Sequence, residues 1–168
     1  MRITPDFTLF FGEKDFLSNW FPSPFYENGL RFLTNEHYIM YKKALLFKDD
    51  VIANEIFYAS LPRKARDLGR EVKNFKPDVW EKYCEKIVYD GALLKFTSSD
   101  NLLKQILSTH PTILVETSPY DKIWGIGLSA NDPRVLDPDK WLGQNKLGRV
   151  LTEVRDHLIK EINHICKG

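Results

Sequence analysis

Thr34-Asn35-Glu36-His37-Tyr38-Ile39-Met40-Tyr41-Lys42-Lys43-Ala44 is the stretch from which the rest of the chain is read. Thr34 or Asn35 suits a helix N-cap, because a short side-chain oxygen there accepts an unpaired N–H of the first turn. The helix is predicted to run to about Phe47. Glu36 falls in its first turn, where the macrodipole favours an anion. Residues 36, 40, 43 and 47 share one face at i, i+4, i+7 and i+11. Glu36 and Lys43 therefore project the same way, about two turns apart, on a face otherwise made of Met40 and Phe47. The plainest reading is a solvated first-turn acid and a snorkelling lysine. The same pair could also do acid–base chemistry.

Upstream, Phe7 to Phe11 reads as a strand, and Leu30 to Leu33 as another after the turn pair Asn28-Gly29. Phe16 to Pro22 sets a polar pair, Ser18-Asn19, among apolar residues. Downstream, Asp49 or Asp50 caps a helix through about Ala59. Pro62 opens one that ends near Gly69. Pro77-Asp78 opens a longer one through about Phe96, with Gly91 inside it. Ser98 to Ser108 reads as helix, and Pro111 ends it. Ile113 to Val115 is a short strand. Ser118 to Gly143 is a long loop rich in Asp, Pro and Gly, and a connection of that length is more often functional than filler. The last helix spans about Lys146 to Ile165, with Leu147, Leu151, Val154, Leu158 and Ile162 at helical spacing. The expected fold class is α+β: a single compact, mostly helical domain over residues 1–168 with a few short strands.

The composition narrows the function. Hydrophobic residues are 43% of the 168, enough for a core, and aromatics are 13%, enough to line a pocket as well. Lys plus Arg is 24 against 23 Asp plus Glu, and a net charge of +1 argues against broad binding to a nucleic-acid backbone. A local pocket for one or two phosphates remains compatible with it. The two cysteines, Cys84 and Cys166, are too few for a disulfide scaffold and read as free thiols. No signal-peptide pattern and no apolar run long enough for a membrane is visible, so a cytoplasmic protein without membrane partners is expected.

Nucleotide loops and nucleophile elbows are absent from the sequence. The four histidines, His37, His110, His157 and His164, have no metal-ligand spacing, and no metal or cofactor is expected. What remains is carboxylates among aromatics. Asp121 follows a turn and precedes Trp124-Gly125-Ile126-Gly127. An aspartate there is usually a local cap, but a flat ring and backbone without Cβ suit a ligand-facing loop. Trp80 is either a core ring or a second stacking surface. Arg63, Lys64, Arg66 and Arg70 form a charged face that is either solvated or a phosphate clamp. Lys95-Phe96 and the Gly143 to Gly148 run offer further donors.

Together these pieces resemble the YbiA-like, or NADAR, N-glycosidases. The matching stretches are Phe16 to Trp20, Thr34 to Tyr38 with Lys43-Ala44, Ala65 to Arg70, Trp80, Lys95-Phe96, Leu114 to Glu116, Asp121 to Gly125, and Trp141 to Gly148. They occur in family order over about residues 7–158. The resemblance implies a mostly helical α+β domain that hydrolyses an N-glycosidic bond between ribose and an amine or base nitrogen, without metal or cofactor. It maps the catalytic positions to Glu36, Asp121 and Trp80. Lys43, Arg70, Trp124, Asn145, Asn19 and Gly125 are expected to bind substrate.

The resemblance further implies a small phosphorylated ribosyl or ADP-ribosyl substrate. One reading is a phosphorylated ribosylamino-pyrimidine of riboflavin synthesis. Another is ADP-ribosylated guanine in nucleic acid, and a third is a nucleotide sensor that binds without cleaving. Cleaving a ribosyl C–N bond builds positive charge at the anomeric carbon and negative charge on the leaving base, a demand that two carboxyls in different roles can meet. Trp20 stands where the family commonly has phenylalanine, and the Gly125 to Trp141 segment is longer than in short members. That longer segment bears on substrate choice.

Overall fold

The computed structural model describes residues 1–165; the free thiol expected at Cys166 lies outside the described residues. The chain divides into two compact units, Asn19–Ser99 and a second formed by Met1–Ser18 with the segment from Asp100 on.

After β1 (Arg2–Ile3) and β2 (Phe7–Phe10) of the other unit, the Asn19–Ser99 unit begins with a hairpin, β3 (Phe25–Glu27) against β4 (Leu30–Phe32). Asn28 and Gly29 take φ of 49° and 81°, the left-handed pair that a two-residue hairpin turn requires. The sequence signals the turn and β4, whereas β3, at three residues, is too short to show a period. Four helices follow: α1 (Asn35–Leu46), α2 (Asp50–Phe57), α3 (Pro62–Arg70) and α4 (Pro77–Thr97). Thr34 caps α1, its hydroxyl accepting from His37 N at 3.4 Å, and Asp49 caps α2 by accepting from Ile52 N at 3.3 Å. Pro62 and Pro77 occupy first-turn positions, where the missing N–H removes no helix bond. Ala44, Phe47, Ile52, Ile56, Ala65 and Leu68 are buried in the core of α1, α2 and α3. The hairpin joins α1 through rings: Phe25 and Phe32 lie 5.7 and 5.2 Å from Tyr38.

The other unit carries a three-stranded sheet in the order β1 (Arg2–Ile3), β2 (Phe7–Phe10), β5 (Ile113–Glu116). β1 is antiparallel to β2, and β2 is parallel to β5 with Phe7 opposite Ile113. The sequence reading places β2 and β5 to within a residue and misses β1, whose two residues are both exposed. α5 (Asp100–Leu107) starts two residues later than the sequence suggests, because Ser98 serves as the C-cap of α4.

The connection from Ser118 to Gly143 is a packed lobe rather than an open loop. Ile126, Leu128 and Val135 are buried against Phe7, Leu9 and Val115. Trp141 Nε1 donates to Val135 O at 3.0 Å. Two short 3-10 turns, Pro133–Leu136 and Pro138–Lys140, are capped by Asp132 and Asp137. α6 (Lys146–Ile165) then packs on β5 so closely that a Cβ at Gly148 would collide with Leu114 O. Arg155, buried, donates to Thr112 O at 2.6 Å and ties the helix to the start of β5.

Candidate active site

The site residues expected from sequence fall into two groups, one in each unit. In Asn19–Ser99, Thr34 fixes where α1 begins and so where Glu36 stands. Glu36 is only 8% exposed, which overturns the reading of a solvated first-turn acid. Its backbone N–H donates to Asn19 O at 2.9 Å, so the residue before Trp20 is pinned to the helix start. Beside it, Asn35 Nδ2 donates to Asn19 Oδ1 at 2.9 Å.

Two turns on, Lys43 is half-buried. Its Nζ donates to Gly69 O at 2.6 Å and lies 4.4 Å from the Phe75 ring centroid and 5.5 Å from that of Trp80. Burial lowers its pKa below the usual lysine value, the Arg70 guanidinium lowers it further, and the Glu36 carboxylate works in the opposite direction. Glu36, Lys43, Arg70 and Trp80 are thus brought together electrostatically or by contact. Arg70 is exposed, and its guanidinium is 3.9 Å from Asp67. That long ion pair on the surface leaves it able to turn to an anionic ligand. Gly69 packs against Met40, where a Cβ would fall on the thioether; this lets α3 approach α1 and brings the Gly69 carbonyl to Lys43.

Phe75 is the residue the sequence reading missed. It precedes α4 in a charged stretch and has no periodic partner to signal it. The Arg66 side chain, counted among the phosphate-clamp candidates, instead donates to Asp67 Oδ1 at 2.9 and 3.2 Å and lies 5.1 Å from the Trp20 ring. Lys95 is 1% exposed, its ammonium 5.6 Å from Phe21 and 5.0 Å from Phe96. Burial pulls its pKa down to about 7.

In the other unit, Asp121 Oδ1 accepts from both Ile123 N and Trp124 N at 2.8 Å. One carboxylate oxygen is therefore committed to shaping the turn that carries Trp124, as a local cap would be. Gly125 is buried, and a Cβ there would be 3.0 Å from the Asp121 and Glu116 carbonyl oxygens. Gly143 is tighter still: its Cβ would lie 2.5 Å from Gly125 O and 2.7 Å from Lys122 Cα. Asn145 takes φ 52° and is 2% exposed. Its Oδ1 accepts from Glu116 N at 3.0 Å and its Nδ2 donates to Leu114 O at 2.9 Å. Both ends of the amide extend the edge of β5. Asp121, Trp124, Gly125 and Asn145 belong to this one braced loop. A separate cleft of about 230 Å³, lined by Leu9, Phe10, Asp15, Thr117 and Asn131 among others, contains none of the expected site residues.

The fold and the sequence match known proteins. The chain belongs to the NADAR domain family, whose model matches residues 9–159. An N-glycosidase of Acanthamoeba polyphaga mimivirus is 43% identical over 144 residues, covering 83% of this chain and 85% of its own. N-glycosidase YbiA of Escherichia coli is 30% identical over 144 residues, covering 86% and 81%. The NMR structure of YbiA superposes with a TM-score of 0.77 at 27% identity, over 95% of this chain and 89% of that one. A chloroplastic riboflavin biosynthesis protein of Arabidopsis thaliana, PYRR, is 32% identical over 107 residues, 61% of this chain and 16% of its own length. These likenesses place the chain among the N-glycosidases, hydrolases of N-glycosidic bonds. Among the described residues, no helix is long and apolar enough to cross a membrane.

Proposed function

We propose that the chain hydrolyses the bond between C1′ and nitrogen in a phosphorylated ribosylamino-pyrimidine, releasing ribose 5-phosphate and the pyrimidine amine. The observation that carries this reading is the cluster on α1 and its neighbours: a nearly buried carboxylate, Glu36, electrostatically coupled to a half-desolvated Lys43 that also feels Arg70. Likeness to a riboflavin biosynthesis protein and a net charge of +1 support a small anionic substrate over a nucleic-acid strand.

In this mechanism the Glu36 carboxylate faces the anomeric carbon and stabilises the oxocarbenium charge that develops there. Lys43, its pKa lowered by burial and by Arg70, gives a proton to the leaving nitrogen. Water adds to C1′ and passes a proton to Glu36, from which Lys43 is recharged through solvent. Arg70 takes the substrate phosphate by a guanidinium fork, and Trp80 and Phe75 wall the leaving base from water. Asp121 acts at one remove, holding the Trp124 turn in shape.

Turnover followed by mass spectrometry without added metal tests the reading. The substrates are the ribosylamino-pyrimidine phosphate, an oligonucleotide carrying ADP-ribosylated guanine, and NAD. Release of ribose 5-phosphate from the first alone is expected. Glu36→Gln should lower kcat by at least ~100-fold while leaving the melting temperature near that of the parent. Cleavage of the oligonucleotide alone would replace the small substrate by an ADP-ribosyl base. Binding of ADP-ribose with no turnover of any substrate would make the protein a sensor.

A further inference from the structure

Gly91 stands in the middle of α4, where glycine costs about 1 kcal/mol relative to alanine. What it admits is Asn35: a Cβ at position 91 would collide with Asn35 Oδ1 and lie 2.5 Å from Tyr38 Cδ1. Asn35 is completely buried, and its Oδ1 has no hydrogen-bond partner. The other end of the amide, Nδ2, donates to Asn19 Oδ1 at 2.9 Å.

The direction of this amide follows from what lies against each end. An oxygen against the Gly91 Cα makes a weak C–H···O contact. Turning the amide round would press two N–H donors onto that carbon and bury them without acceptors. Asn35 therefore offers N–H to Asn19, and Asn19 must answer with its oxygen. The Asn19 NH₂ group is left pointing away from Asn35, and it makes no hydrogen bond among the described residues. The backbone of Asn19 is fixed as well, because its carbonyl accepts from Glu36 N at 2.9 Å. Asn19 is thus a donor whose polarity is set by a buried neighbour and whose position is tied to the residue carrying the proposed catalytic carboxylate.

We infer that Asn19 Nδ2 donates to an oxygen of the ribosyl group held at Glu36, and that Asn35, seated on Gly91, is the positioning residue that keeps the donor end of Asn19 turned to substrate. This rests on the proposed N-ribosyl hydrolysis; it gives the substrate contact expected at Asn19 an atom and a direction, and adds Asn35 as the residue that sets them. Asn35 never touches substrate; it acts only through Asn19.

The test is a double-mutant cycle on kcat and KM for the ribosylamino-pyrimidine phosphate, with Asn19→Ala, Asn35→Ala and the pair. Asn19→Ala should raise KM about tenfold, as for the loss of about 1.4 kcal/mol of binding, with kcat changed less. Asn35→Ala should do the same, and the double variant no more than either. Losses that multiply would show Asn35 acting independently of Asn19 and overturn the inference, as would an unchanged KM in Asn19→Ala. Asn35→Asp keeps the side-chain volume and, once the pH is high enough to ionise it, can only accept, so at that pH it turns the Asn19 amide round and raises KM equally. It carries the test if Asn35→Ala does not fold.

A second readout is the Asn19 side-chain amide resonance of the parent protein, assigned by its loss in Asn19→Ala and titrated with ribose 5-phosphate. A shift without turnover of any substrate keeps the binding role and removes the proposed reaction. Turnover with no shift and no KM change keeps the reaction and removes the binding role. Neither turnover nor shift overturns both.

Discussion

Lys95 gives this protein a stability that should climb with pH. The residue is 1% exposed in α4, with the Phe21 and Phe96 rings 5.6 and 5.0 Å from its ammonium. Burial lowers its pKa from 10.5 to about 7, whereas an unfolded lysine titrates at about 10.4. Below pH 7 both states hold the proton, and the penalty of burying the charge is fully present. Between pH 7 and about 10, the unfolded chain binds close to one proton more than the folded chain, so stability rises by about 1.4 kcal/mol per pH unit. Above the unfolded value the penalty has gone.

From pH 7.5 to 9.5, with partial titration at each end, the rise is about 2.5 kcal/mol. Urea unfolding of the parent and of Lys95→Met at pH 7.5, 8.5 and 9.5 measures it. Other titrating groups are common to both proteins, and the difference between the curves isolates Lys95. The parent should gain about 2.5 kcal/mol on the variant over the range. A difference that stays flat would refute the reasoning, since it would mean that Lys95 keeps an ordinary pKa in the fold.

Two other predictions concern the site residues. If Lys43 is the proton donor, kcat/KM falls on the alkaline side at a pH below the usual lysine range, because burial and Arg70 favour its neutral form; Lys43→Arg should remove that limb from the pH–rate profile, and a limb that stays in place assigns it to another group. Asn145→Ala leaves Glu116 N–H and Leu114 C=O without their partners, so it should cost about 2–4 kcal/mol in thermal or urea unfolding, and a parent-like melting temperature would show those ties to be dispensable.

The sequence reads best where one residue's local chemistry decides the structure. Thr34 marks the start of α1 because its hydroxyl meets the first-turn N–H, and Pro62, Pro77 and Lys146 mark starts that the fold keeps. It reads poorly where distance decides. β1 and β3 exist only through their partners, and two or three residues show no periodicity. The Ser118 to Gly143 segment reads as a long loop from its Asp, Pro and Gly. Its Leu128, Val135 and Trp141 were the signal that it packs, yet their spacing fits neither helix nor strand. Among the site residues, the shared face of Glu36 and Lys43 was legible, but the burial of Glu36 was not. Asn145 reads as an open donor, but its amide is used at both ends by β5, which lies 29 and 31 residues earlier.

Polar groups in the described residues divide by what holds them. Asp121 and Asn145 meet backbone groups, and their bonds are those of turns and strand edges. Such groups shape a loop and leave little free to react. Around α1 and α4 the arrangement differs. Glu36 and Lys95 are ionisable and nearly or fully buried, Lys43 is half-desolvated, and Asn35 keeps one amide oxygen without a partner. Burying polar groups carries a desolvation cost, and at Lys43 and Lys95 burial lowers the pKa, the kind of perturbation that clusters at functional sites. Gly91 adds a helix-weakening residue to the same place. On the proposed reading, proton transfer and charge stabilisation belong to the α1 cluster, and Asp121 contributes through the shape of its loop. Asp121→Asn, which keeps an oxygen for the Ile123 and Trp124 N–H groups, should therefore be tolerated far better than Glu36→Gln in the same turnover assay, and equal losses would return Asp121 to the chemistry itself.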